Sequence, residues 1–436
     1  MLGGHCPQAA VGTDRYVPRV DFTALHRALG YPPGVLTDEM LTEAVRQEVA
    51  ERDDLDWKSE LPSEKDLAQS DTVKDIAAMA NSGGGVIVFG VQEEQKRATR
   101  RTDIGEVSES YERTLRRVAV SGIQPPVFGL GVVRLGGKPN RALAVVVPAS
   151  ADAPHLIYRG DYFGAPIRNH ADTEWMRERH LESLYRARLD ERTRSQLALA
   201  DLYSEFADGR DSQSRAWLVA VARPRVPLLG RRMSREQARD IIAKASELAL
   251  VFAGRGGIHP LESVDRFNPR IGLRRWIAPN TATADGTQWK ESWVSVYDDG
   301  TVSVASAAGA HRAGSQAFLP GNRIRSSHLE CCVADLMSLA RHASAALGTG
   351  DYEARIGIEW TGNAPLIIET IDNQGLAYDS TSTPIPRYTP VTTSFRNDVN
   401  SAAYLDQVLE LATDVVNQGG VQHLQVMTRP DTPVAG

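Results

Sequence analysis

Hydrophobic and polar positions in residues 51–94 predict an alternation of short strands and a helix. Residues 55–58 (LDWK) alternate as a strand does, so the side chains of Asp56 and Lys58 share one face. Residues 71–81 carry apolar side chains at helical spacing, and residues 86–91 form an unbroken apolar run, which is typical of a buried strand. The pattern therefore predicts a domain that mixes helices and strands.

Three acidic side chains are predicted to converge where these elements end. Residues 37–52 have helical composition, which places Glu51 in a last helical turn just before the strand that carries Asp56. Glu93 follows the apolar run, where the chain leaves the buried strand. Carboxylates in one cleft raise each other's pKa unless a cation neutralises them.

A divalent cation suits such a cluster. Mg²⁺ or Mn²⁺ held by these acids can activate water and stabilise charge on a phosphodiester, and Lys58 would contact the phosphate or the water. The alternative is that the acids are a solvated charge run, as most such runs are.

The turn that ends the helix over 71–81 has two interpretations. Asn81, Gly83, Gly84 and Gly85 end the helix, and backbone amides in such a turn can also contact a phosphate. The structural interpretation is favoured. No Gly-x-x-x-x-Gly-Lys-Ser/Thr sequence occurs, which excludes a P-loop ATPase at the level of motifs.

Cations concentrate after Glu93. They are Lys96, Arg97, Arg100, Arg101, Arg113, Arg116 and Arg117. They can form a basic rim that holds a polyanion beside the acids, or an exposed helix face that pairs with Glu109 and Glu112; the spacing fits both. Arg168 and Tyr158 are further candidates for phosphate pairing and base stacking.

The second half predicts a separate α+β domain with antiparallel strands. Its predicted elements are a strand over 216–222, a helix from a capping box at Ser234 and Gln237 to Ala253, a hairpin of 293–297 and 301–305, a helix from a capping box at Ser327 and Glu330 to Leu347 that buries one of two cysteines, paired strands 355–360 and 366–371, a helix over 401–417 and a strand over 421–427. No catalytic spacing occurs there, so we interpret this half as a sensing, oligomerising or partner-binding module.

Composition supports an α+β protein of two domains. We divide the chain into a tail and helical lead-in (1–44), a first domain (45–195) that ends in a helix over 173–192, a linker (196–214) and a second domain (215–430). The 436 residues are 42% hydrophobic, and the net charge of −6 argues against a protein that coats nucleic acid indiscriminately. No signal peptide, membrane-length run or disulfide framework is evident, so we expect a cytoplasmic protein.

The first domain resembles the Schlafen AlbA-type family over residues 45–190. The motifs are an acid, four positions and then a Glu-Phe-Lys-like triplet; a helix ending in Ala-Asn-x-x-Gly-Gly; and a strand ending in Gly-Val-x-acid. Here they are Glu51 with Asp56-Trp57-Lys58, Ala80-Asn81-Ser82-Gly83-Gly84, and Gly90-Val91-Gln92-Glu93. Asp56 replaces the family's usual Glu, and Glu93 its usual Asp.

The resemblance implies a nucleic-acid-binding protein. In family members that cut RNA the three acids bind a divalent metal, which assigns that role to Glu51, Asp56 and Glu93. We therefore expect a Mg²⁺- or Mn²⁺-dependent endoribonuclease acting on structured RNA such as tRNA, in a defence or stress response, with the second domain controlling it. RNA is favoured over DNA. The alternatives are a non-catalytic DNA-binding regulator and an ATP-binding protein of the same fold.

Overall fold

The computed structural model describes residues 22–160, 162–227, 232–282, 288–312, 318–371, 377–378, 382–397 and 399–428. The predicted tail over 1–20, with Cys6, lies outside these ranges. Among the helices in these ranges, none combines the length and apolar character needed to cross a bilayer.

Among the described residues, the helical lead-in and the first domain together contain four α-helices and eleven strands, and a fifth helix follows them. The helices are α1 (Ala24–Leu29), α2 (Asp38–Arg46), α3 (Asp71–Asn81), α4 (Glu109–Ser121) and α5 (Glu178–Ala207); the strands are β1 (Leu55–Lys58), β2 (Gly85–Phe89), β3 (Val91–Glu94), β4 (Arg97–Arg101), β5 (Ile123–Gln124), β6 (Gly131–Leu135), β7 (Ala142–Val147), β8 (Leu156–Arg159), β9 (Tyr162–Gly164), β10 (Pro166–Asn169) and β11 (Asp172–Trp175).

A four-stranded sheet in the order β1-β2-β7-β6 forms the centre of this domain. Strands β1 and β2 run parallel, and the other neighbours are antiparallel. Alternate residues of β2 pack on opposite faces: Ile87 belongs to the core beneath α3 and α4, and Val88 to the core beneath α1 and α2. Burial on both faces explains the unbroken apolar run. The hairpins β3–β4 and β10–β11 lie outside this sheet.

Several boundaries confirm the sequence pattern, and others differ from it. The predicted strand 55–58 and helix 71–81 have the expected bounds. The apolar run 86–91 divides at Gly90, whose φ of +101° ends β2, and a Cβ there would lie 2.9 Å from the Arg141 carbonyl oxygen. The helix predicted over 37–52 is wrong at its end, because α2 stops at Arg46. Glu51 instead lies in the loop before β1.

The helix predicted over 173–192 is displaced towards the C-terminus. Residues 172–175 form β11, which pairs with β10, so the helix starts at Glu178. It then continues to Ala207 and includes most of the segment predicted as a linker, leaving 208–214 as the connection.

The second domain is built on a seven-stranded antiparallel sheet in the order β13-β14-β15-β16-β12-β18-β21. Its strands are β12 (Trp217–Pro224), β13 (Arg270–Gly272), β14 (Arg275–Ala278), β15 (Ser292–Tyr297), β16 (Val302–Ala307), β18 (Tyr352–Glu359) and β21 (Val391–Phe395); β17 (Arg323–Arg325), β19 (Ile367–Ile371) and β20 (Ala377–Tyr378) form a smaller sheet; and the helices are α6 (Arg235–Ala253), α7 (Ser326–Leu347) and α8 (Ser401–Asn417). Helices α6, α7 and α8 pack over one face of the large sheet, and the end of α5 covers the other.

Two predicted helix starts in this domain have different outcomes. The capping box at Ser234 and Gln237 is confirmed at the start of α6. The second box is wrong: α7 follows Arg325 with no side-chain cap, and the Glu330 carboxylate instead accepts the backbone N–H groups of residues 425–427.

Strand pairing in the C-terminal part also departs from the pattern. The predicted pairing of 355–360 with 366–371 is wrong, because β18 pairs with β12 and β21, whereas β19 pairs with β17 and β20. Residues 421–427 contain no strand, and both Cys331 and Cys332 are buried.

Candidate nucleic-acid site

A cavity of about 810 Å³ brings together the residues of the acidic cluster. Strand β1, helix α3, the β3–β4 hairpin and the β10–β11 hairpin supply its walls. The charged residues among its lining are Glu51, Asp56, Lys58, Glu60, Asp71, Lys74, Asp75, Glu93, Lys96, Arg100, Asp103, Arg168 and Asp172. Eight of these are acids and five are cations, so the lining has an excess of three negative charges.

Asp56 is the most enclosed acid of this cleft, with 2% of its surface exposed. The Lys58 ammonium nitrogen lies 2.8 Å from Asp56 Oδ2, as expected for two side chains on one face of β1. On the other side, Arg168 donates a hydrogen bond from a terminal nitrogen to Asp56 Oδ1 at 3.3 Å. Arg168 is itself buried, so it acts on the acid from within the protein.

Glu51 faces the same cleft from the loop before β1. The backbone N–H of Trp57 donates to Glu51 Oε1 at 3.1 Å, and the Lys96 ammonium lies 3.5 Å from Oε2. Burial and the nearby Asp56 carboxylate raise the pKa of Glu51. Glu51 and Asp56 are therefore close neighbours, as predicted, although the local backbone differs from the predicted helix.

Asp75 is a member of the site that sequence reasoning missed. It lies on α3 and is 4% exposed, and its Oδ2 is 3.5 Å from the Lys58 ammonium. Burial alone would lower the pKa of Lys58, but Asp56 and Asp75 raise it above its usual value. In the sequence, the signal for Asp75 is its position four residues after Asp71, which places the two acids on one face of a helix.

Glu93 lines the cleft, but it has a different partner. The backbone N–H of Lys96 donates to Glu93 Oε2 at 2.7 Å, across the turn of the β3–β4 hairpin. In the described ranges, no three carboxylate, imidazole or thiol groups lie close enough to hold a metal ion. The three-acid ligand set that the resemblance implies is therefore not assembled.

A set of two carboxylates fits a divalent cation better. Glu51 Oε2 and Asp56 Oδ2 are buried and accept no well-oriented hydrogen bond, although a lysine ammonium lies near each. Mg²⁺ commonly takes one or two protein carboxylates and completes its shell with water and substrate phosphates.

The glycine turn after α3 is occupied by contacts within the protein. The Asn81 amide donates to the carbonyl oxygens of His155 (2.9 Å) and Pro166 (2.8 Å) and accepts the His155 N–H (2.6 Å). A Cβ at Gly84 would lie 2.7 Å from the Ala149 nitrogen, and one at Gly85 would lie 2.8 Å from the Asp54 carbonyl oxygen. Only at Gly83, among these glycines, does a Cβ meet open space.

The predicted basic rim divides into three groups. Lys96, Arg100 and Arg168 line the cleft. Arg97 and Arg101 hold the hairpin against its surroundings: Arg97 donates to the Glu48 carbonyl, and Arg101 donates to Asp38 Oδ1 at 2.7 Å. The arginines of α4, outside the cleft lining, are Arg113, Arg116 and Arg117, of which Arg116 donates to the Leu130 carbonyl.

One comparison with known proteins finds a family match for the first domain. Residues 51–177 match the family model described as Schlafen, AlbA_2, and the C-terminal half matches no family model. No curated protein matches the chain.

Two of the solved structures that resemble this chain have low sequence identity and low TM-scores. The solution structure of the N-terminal domain of a putative ATP-dependent DNA helicase RecG-related protein from Nitrosomonas europaea is 17% identical, with a TM-score of 0.25, over 34% of this chain and 97% of that one. The DIP2311 protein from Corynebacterium diphtheriae is 15% identical, with a TM-score of 0.25, over 49% of this chain and 34% of that one. The family match, rather than these likenesses, supports a nucleic-acid-related function. Residues 51–177 therefore resemble the Schlafen, AlbA_2 family.

Proposed function

We propose that this protein binds nucleic acid, RNA in preference to DNA, at the cleft around Glu51 and Asp56, and cleaves RNA there with Mg²⁺ or Mn²⁺. The observation that carries the proposal is the acidic excess of the lining in a domain of this family. A polyanion is repelled by such a surface unless positive charge enters with it. A divalent cation held by two buried carboxylates supplies that charge.

The residues of the chain divide the work. Glu51 and Asp56 would hold the cation, which when bound supplies positive charge and lowers the pKa of a water molecule. Lys58 and Lys96 have side chains that are 37% and 49% exposed, so they can turn from the carboxylates to a phosphate oxygen. Arg168 stays buried and keeps Asp56 in place.

The test is incubation of the full chain with total tRNA and with duplex DNA, in Mg²⁺, in Mn²⁺ and in chelator. We expect discrete tRNA fragments that require the metal and that disappear in Asp56→Asn. Asp53→Asn, an exposed acid of the same loop, is the matched control and should cleave as the native chain does. Intact tRNA under all these conditions would refute cleavage.

A non-catalytic DNA-binding regulator is the second candidate. The three buried acids of the cleft already have cationic neighbours in Lys58, Lys96 and Arg168, an arrangement that needs no metal. Salt-sensitive binding of duplex DNA that persists in chelator, without cleavage, would favour it. No observation favours the nucleotide-binding alternative, because the fold itself uses the Asn81 amide.

Control by the second domain stays part of the proposal. One contact between the domains is made by Arg225, the residue after β12, whose guanidinium donates to both carboxylate oxygens of Asp152 in the first domain. A ligand or a second copy of the chain that binds the second domain would affect the first domain through such contacts.

A further inference from the structure

We propose that Asp75 is a positioning residue of the cleft, which holds Lys58 beside Asp56 and, through Thr173, holds Arg168. The inference rests on the proposed function for its effect on nucleic acid. Its structural part concerns only side chains of this chain.

The contacts form a closed ring. Lys58 lies 2.8 Å from Asp56 and 3.5 Å from Asp75. The Thr173 hydroxyl donates to Asp75 Oδ1 at 3.4 Å and accepts a hydrogen bond from Arg168 at 3.2 Å. Arg168 also donates to Asp56 Oδ1 at 3.3 Å, which closes the ring. Both acids of this ring thus reach both cations: Asp56 contacts Lys58 and Arg168 directly, whereas Asp75 contacts Lys58 directly and Arg168 through the Thr173 hydroxyl.

The ring joins side chains from three separate elements of the domain. Asp75 belongs to α3, Lys58 to β1, and Thr173 to the β10–β11 hairpin. On α3, Ile76 and Ala77 pack into the apolar core, whereas both oxygens of Asp75 face the cleft. A buried carboxylate is costly unless it is paired, so the pairing with Lys58 also holds the lysine.

Without Asp75, Lys58 would have a single acidic neighbour in the ring. Its long stem and partly exposed ammonium would let it swing into solvent, and the phosphate contact would then cost more side-chain entropy. Loss of Asp75 also removes a negative charge, which by itself favours a polyanion. The control must therefore remove the same charge without touching Lys58.

Asp71→Asn provides that control, because Asp71 lines the same cavity from the same helix and pairs with Lys74 at 3.1 Å. We would measure binding of fluorescently labelled tRNA to the native chain, Asp75→Asn, Asp71→Asn, Lys58→Met and the double variant Lys58→Met with Asp75→Asn. Asp75→Asn should bind about 3- to 10-fold more weakly than Asp71→Asn. In the Lys58→Met background, Asp75→Asn should cause no further loss. An equal loss with and without Lys58 would overturn the inference.

A second measurement needs no nucleic acid. Acylation of Lys58 by an amine reagent, followed by mass spectrometry with the exposed Lys138 as internal reference, reports how firmly the lysine is held. We expect Asp75→Asn to speed acylation of Lys58 roughly threefold and Asp71→Asn to leave it unchanged. Unchanged acylation in Asp75→Asn would overturn the inference. If Asp75→Asn speeds acylation of Lys58 but the native chain binds no tRNA, the positioning role of Asp75 is upheld and the proposed function is refuted.

Discussion

Replacement of Asn81 by alanine tests whether the glycine turn is structural or contacts a ligand. The Asn81 side chain makes three buried hydrogen bonds, two to His155 and one to Pro166, and these join the end of α3 to the residue before β8 and to β10. A hydrogen bond contributes about 1 kcal/mol net, so the loss of three costs ~3 kcal/mol, and more where the backbone groups stay unpaired. We expect local opening of this region to become roughly 100-fold more frequent.

Hydrogen exchange read by mass spectrometry measures this change directly. Peptides over 156–159 should exchange faster in Asn81→Ala, while peptides over 217–224 in the second domain serve as internal reference. Ser82→Ala is the matched variant, because Ser82 accepts one hydrogen bond from the Arg168 N–H at 3.0 Å, so its effect should be about one third as large in free energy. Unchanged exchange in Asn81→Ala together with lost nucleotide or RNA binding would refute the structural interpretation.

Three further predictions concern buried charges. Burial alone would lower the pKa of His259, but hydrogen bonding to Asp335 raises it to about 11. The stabilisation from this pair is therefore present below pH ~6.5 and is lost as pH rises towards 11. His259→Gln should lower the urea midpoint of unfolding more at pH 6 than at pH 10.5. Burial alone would raise the pKa of Asp152, but Arg225 keeps that pKa below its usual value. The contact therefore stabilises the fold above pH ~4 and weakens as pH falls below it. Asp152→Asn should make the stability of the fold depend less on pH in acid, as measured by intrinsic fluorescence. Glu330→Gln should weaken the anchor of residues 425–427 and speed hydrogen exchange there.

The acid and lysine of β1 were predictable because strand geometry fixes which side chains share a face. The period of two places Asp56 with Lys58, and their separation of 2.8 Å follows from it. The bounds of α3 and its end before the glycine turn of residues 83–85 are likewise local features. Such features depend on a few neighbouring residues, which the sequence displays.

The remaining parts of the site depend on contacts between distant segments. The helix propensity of residues 47–52 predicts that Glu51 lies in a helix. The Val49 carbonyl instead accepts hydrogen bonds from the Trp57 indole and the Ala98 N–H, so the helix does not continue to Glu51. Asp75 lies in α3, and the contacts that enclose it come from Lys58 and Thr173, which are distant from it in the sequence.

The sheet of the second domain illustrates the same limit. Strand β12 lies between β16 and β18, which begin 78 and 128 positions after β12 ends. Local pattern predicts β12, β18 and the β15–β16 hairpin of this sheet but not β13, β14 or β21. It paired β18 with β19 because they are adjacent in sequence, whereas burial in the large sheet decides the actual neighbours.

Calorimetric titration of Mn²⁺ into the full chain, without nucleic acid, tests most directly whether Glu51 and Asp56 hold a cation in the cleft. This metal-binding role predicts one site in the native chain that is lost in Glu51→Gln and in Asp56→Asn and is retained in Glu93→Gln, since Glu93 accepts the Lys96 N–H instead. No binding by the native chain, or equal loss in Glu93→Gln, would contradict it.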